Sequence, residues 1–176
     1  MRKYGAYQII NLSVQTLDDR YAIDGEPLVK ECADLLCSML FDPYFEDGHF
    51  SAEDLCLEKQ NLIDTIESEF NDKREYAIGK CISLMFGDSP LAVKKYGTRE
   101  TAEKITAESA TNAYKDLLRR GAAEILFVGG GDPSSAEKVF ADRFAATDRD
   151  PIDYRFTIPA AKADEVRSHR EDMDLA

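Results

Sequence analysis

Glu58-Lys59-Gln60-Asn61-Leu62-Ile63-Asp64-Thr65-Ile66-Glu67 is the stretch around which the rest of this sequence organises itself. Leu55, Leu62, Ile63, Ile66 and Phe70 recur at helical spacing and predict the buried stripe of a long helix. Ser51 is a suitable N-cap, and Asp54 three residues on is a capping-box-like partner. Glu58 and Thr65 stand seven positions apart, close to two helical turns, so both lie on one face. Asn71-Asp72 is expected to interrupt the helix before a second helical pattern over 76–86, carried by Ile78, Ile82 and Met85. Gly87-Asp88-Ser89-Pro90 then breaks it.

Upstream, Gly5 to Leu17 is rich in β-formers (Tyr7, Ile9, Ile10, Leu12, Val14) and reads as a strand. Asp24-Gly25-Glu26-Pro27 opens a helix in which Leu28, Cys32, Leu35, Leu36, Met39 and Leu40 form the apolar face, and Asp42-Pro43 stops it. Downstream, Thr98 and Thr106 can each cap a helix, the second carrying Ala110, Ala113, Tyr114, Leu117 and Leu118 and ending at Gly121 as a C′ residue. The apolar run Ala123 to Val128 has strand length and leads into Gly129-Gly130-Gly131. Asp132-Pro133 starts a final helix with Ala136, Val139, Phe140 and Phe144 inward. From Ala160 onward the chain is charged and poor in large apolar residues. The order strand, helices, strand, helix predicts an α+β fold in which helices layer on a mostly antiparallel sheet, not alternating βαβ units.

At 176 residues the chain is of single-domain size. Its net charge of −12 argues against nucleic acid and against anionic membrane surfaces as partners. No apolar run reaches the ~20 residues a transmembrane helix needs. The four cysteines (Cys32, Cys37, Cys56, Cys81) include no C-x-x-C pair, and the stretch ahead of them does not show the charged-then-apolar pattern of a signal peptide. Cys32, Cys56 and Cys81 sit among apolar residues and are expected to be buried free thiols in a reducing, cytoplasmic setting.

The ordered set of features from Gly5 to Phe144 resembles the insulinase/pitrilysin-type zinc metallopeptidases, the group that includes mitochondrial processing peptidase. The set comprises Leu40-Phe41-Asp42-Pro43, the Glu58-Lys59 helix, Asp72, Leu84-Met85-Phe86, Ser89-Pro90, Tyr96-Gly97, Ile105, Tyr114 and Ile125-Leu126-Phe127-Val128-Gly129. In that family a helix carries two glutamates seven residues apart, the first supporting catalysis and the second ligating zinc. The corresponding positions here are Glu58 and Thr65. A hydroxyl on a β-branched side chain is a poor substitute for a carboxylate on zinc, which prefers Cys, His and Asp/Glu. The family's H-x-x-E-H motif lies further upstream of the glutamate helix than this chain extends, and the only histidines, His49 and His169, are in no such motif.

The resemblance therefore implies a family member that does no peptide hydrolysis itself. No catalytic, cofactor-binding or metal-ligating residue is assigned, and no cofactor is expected. Residues 1–159 are expected to be part of an insulinase-like domain, incomplete because its first strands and zinc helix would precede it. Residues 160–176 are expected to be a charged linker toward a second, similar domain, so the whole is read as a piece of a longer polypeptide. A sheet lacking its first strands has an unpaired edge, which invites pairing with another chain. Inactive members of the family pair with a zinc-bearing sister subunit, and the likeness extends to bacterial non-catalytic members associated with elongation factor P modification. The implied partners are such a subunit, or a second domain of the same chain, and a peptide or protein substrate. The alternatives are an active zinc peptidase whose motif lies upstream, and a stand-alone peptide- or protein-binding scaffold.

Several further clusters have plainer readings. Glu58 beside Lys59 reads as a helix-surface charge. Glu67 or Glu69 could replace Thr65 only by a shifted register that also turns Ile66 outward. His49 among Glu46, Asp47, Glu53 and Asp54 matches no metal-ligand spacing. Asp18-Asp19 on a strand would point to opposite faces. Gly129-Gly130-Gly131-Asp132 lacks both phosphate-loop signatures, and Asp132 at the cap would repel an anion.

Overall fold

The computed structural model describes residues 2–153, 155 and 166–171. Among these residues the elements are a two-stranded antiparallel sheet and six α-helices, joined by short 3₁₀ turns, an α+β arrangement in two compact units. The expected domain boundary near residue 160 lies outside the described residues.

Of the described residues, the first unit contains 2–10, 53–105, 155 and 166–171. Strands β1 (Arg2–Tyr4) and β2 (Tyr7–Ile9) pair with Tyr4 opposite Tyr7. Their two-residue turn places Gly5 first at φ 58°, a conformation that favours glycine and matches the twist of a tight hairpin. Lys3 Nζ donates to the carbonyl of Leu91 at 2.8 Å and to that of Val93, which ties the hairpin to the 3₁₀ turn Pro90–Ala92. Helix α2 (Ala52–Ser68) begins one residue after Ser51, as its polar-then-periodic pattern predicts. The expected interruption is real. A 3₁₀ turn, Glu69–Asn71, separates α2 from α3 (Lys73–Phe86), and Asp72 caps α3 by accepting from the N–H groups of Arg74 and Glu75. Helix α4 (Arg99–Glu103) starts with a capping box between Thr98 and Thr101. Among the described residues of this unit, Ile63, Leu91 and Ala102 are the buried apolar ones.

Of the described residues, the second unit contains 11–52 and 106–153. Helices α1 (Leu28–Phe41) and α6 (Ser134–Ala145) pack through Val29, Ala33 and Ala136, with Val139 and Phe140 against them. The inward face predicted for α6 is the one observed. For α1 the buried set is Val29, Ala33 and Cys37, while Leu35 and Met39 are more than half exposed. Small residues let the two helices approach closely, so the contact lies on their line and the bulkier stripe is displaced from it. Phe41 and Phe144 close the end of this interface edge to face, with centroids 5.0 Å apart.

Helix α5 (Ala107–Arg120) is capped by Thr106 and Ser109. It ends at Gly121, whose φ of −66° is not the left-handed C′ geometry anticipated. Glycine is needed there for space, because a Cβ would lie 2.6 Å from the Leu117 carbonyl oxygen. Arg149 donates to the carbonyls of Leu118 and Gly121, placing a cation at the negative end of α5. Thr111 is fully buried, and its hydroxyl donates to the Ala107 carbonyl at 2.7 Å while accepting the Phe50 N–H at 2.9 Å. Thr111→Val keeps the shape and leaves that N–H without a partner. We expect a loss on the order of 1–3 kcal/mol in urea unfolding, with Thr111→Ser losing less because the hydroxyl remains.

Two predicted strands are corrected. Only Tyr7–Ile9 of the stretch Gly5 to Leu17 is strand, and Ala123 to Val128 forms none. Strand geometry requires a neighbouring backbone to bond with. Among the described residues, the backbones of 11–17 and 123–128 make no hydrogen bond.

Candidate functional site

The helix that carries the family resemblance is regular from Ala52 to Ser68, so Glu58 and Thr65 do share a face. Both are exposed. Thr65 Oγ1 donates to the Asn61 carbonyl at 2.8 Å, the local back-bonding expected of a mid-helix threonine. Its hydroxyl thus serves the helix's own backbone. Thr65→Glu removes that bond and inserts a better helix former on an exposed face. The expected change in Tm is within about 2 °C, read from a far-UV circular dichroism melt.

The neighbouring acids are engaged in helix packing. The Glu67 carboxylate pairs with Arg99, which also bonds Glu103 at 2.9 Å, and Lys59 Nζ donates to the Glu103 carbonyl at 3.0 Å. Those contacts fasten α2 to α4, and the two acids beside it push the Arg99 pKa up. Glu69 falls in the 3₁₀ turn after α2, so it does not continue the helical register from Glu58. Asp64 accepts from Gln60 at 2.7 Å. The Glu46 and His49 backbones bond each other in a tight turn at 2.7 and 3.0 Å, with Asp47 and Gly48 at positive φ between them. Among the described residues no three His, Cys, Asp or Glu side chains are grouped to hold a metal ion.

Asp18 and Asp19 are not strand neighbours. They flank the start of a 3₁₀ turn, Asp19–Tyr21, and each serves a different backbone. Asp18 accepts from the Arg20 N–H at 3.1 Å and its guanidinium at 2.9 Å, which holds its carboxyl below the usual range. Asp19 accepts the Val29 N–H at 2.9 Å, so it caps α1 from ten residues away. Pro27, at the cap position itself, supplies no side-chain acceptor. Nothing local in the sequence marks Asp19 for this duty.

The glycine turn is a plain lead-in to α6. Asp132 Oδ1 accepts from the Ser134 hydroxyl at 2.6 Å and N–H at 3.0 Å, and these bonds lower its pKa. A carboxylate whose folded pKa is depressed stabilises above its ordinary pKa, and that contribution is lost as pH falls through the folded value. Asp132→Asn is therefore expected to flatten the acid limb of the stability curve below about pH 4, with melting curves at pH 2–6 as the check.

The cysteines are free and only partly as expected. Cys37 is buried, and burial pushes its thiol pKa up; Cys32 is half-buried, but Cys56 and Cys81 are exposed. Cys56 lies next to Leu57, itself 62 % exposed, so the apolar neighbours that suggested burial are themselves outside the core.

An apolar concavity lies in the second unit, between residues 125–127 and α6. It has a volume of about 420 Å³ and is lined by Ile125, Phe127, Pro133, Ala136, Phe140 and Phe144. In the same unit Phe45, Phe50 and Tyr114 form a ring cluster with centroids 5.1 to 6.1 Å apart. Burial and the Asp42 carboxylate push the Tyr114 phenol pKa up, which keeps it protonated as the donor to the Leu40 carbonyl. No described helix is long and apolar enough to cross a membrane.

No protein-family model matches the chain. Over 149 residues, 85% of its length, it is 24% identical to the protein of Bacillus subtilis (strain 168) named "Probable inactive metalloprotease YmfF". The peptidase relative is itself named inactive. A solved structure, described as that of a conserved protein from Enterococcus faecalis V583, superposes with a TM-score of 0.64 at 25% identity over 81% of the chain. The chain spans about a third of each, 35% of the Bacillus protein and 33% of the Enterococcus chain. The similarity thus supports a peptidase-like, inactive relative, while the insulinase subgroup remains a proposal.

Proposed function

We propose that this chain belongs to a non-catalytic, insulinase-like peptidase that pairs with a zinc-bearing catalytic partner and helps enclose peptide substrate. The observation that carries this reading is Thr65. It stands two helical turns after Glu58, on the same exposed face, and spends its hydroxyl on the Asn61 carbonyl. A carboxylate is needed there to complete a zinc site of the resembled type, and a neutral hydroxyl whose proton is engaged by a helix carbonyl is a weak ligand. The name of the Bacillus relative fits the same reading. In this role the packing residues of α2 persist because the fold requires them, whatever the chemistry. Ile63 remains buried, and Leu62 and Ile66 half-buried.

The test is the zinc content of the natural polypeptide that carries this chain, purified without added metal and again after zinc loading. Proteins that copurify with it are identified in the same preparation. The expected result is no stoichiometric zinc in either sample and a copurifying peptidase subunit that does bind zinc. Near-equimolar zinc, removable by chelation, would replace this reading with that of an active peptidase. Absence of both zinc and a peptidase partner would favour a stand-alone binding scaffold.

A further inference from the structure

We draw no further inference here: the strongest candidate, the apolar groove between residues 125–127 and α6 with the exposed Leu126 and Val128 beside it, has nothing in the structure to show what covers it.

Discussion

Ala33→Asp is expected to unfold the unit built on α1 and α6. Ala33 is 3 % exposed and lies in the small-residue contact with Val29 and Ala136. An aspartate there overfills a close helix approach and places a carboxylate where no cation is available in that cluster. Burying an unpaired ionisable group costs several kcal/mol even after its pKa adjusts, so a loss of about 3 kcal/mol or more is expected. For a unit of this size that corresponds to a fall in Tm of more than about 12 °C. Glu31→Asp, exposed on the same helix and unchanged in charge, is the control and should move Tm by no more than about 3 °C. Equal melting of both variants in thermal circular dichroism would mean that α1 and α6 do not form the core of this unit.

The second large effect concerns association. Leu126 and Val128 are 88 % and 86 % exposed, and Ile125 and Phe127 between and before them line the groove against α6. The segment is thus apolar on both sides. Its β-forming composition, its single charge at Glu124 and its backbone donors and acceptors, unpaired among the described residues, are the features of an aggregation-prone edge. Leu126→Lys combined with Val128→Lys is expected to reduce the self-association of this chain several-fold in light scattering at equal concentration. Tm should hold, because neither side chain packs against the core. Unchanged scattering would show that association starts elsewhere on the molecule.

Local chemistry was legible at the helix starts. Thr98, Thr106 and Asp132 cap as their positions predict, and Asp72 separates α2 from α3. The inward face of α6 follows from its apolar spacing, since Ala136, Val139, Phe140 and Phe144 leave no other side to bury. Burial on α1 was not legible. Leu35 and Met39 are the larger apolar residues, yet close helix packing selects Ala33 and its neighbours. Composition alone likewise misplaces Cys56 and Cys81, because an apolar neighbour in sequence is not a neighbour in the core.

At the candidate site, spacing alone puts Glu58 and Thr65 on one face, since seven residues of helix return to nearly the same angle, and composition alone shows that position 65 carries no carboxylate. The ion pair of Glu67 with Arg99, the capping of α1 by Asp19 from ten residues away, and the absence of a strand over 123–128 among the described residues emerge only in the folded chain. The physical reason is common to all three. A helix satisfies its backbone within one segment, so its pattern is local, whereas an ion pair, a remote cap or a strand exists only when another part of the chain supplies the partner.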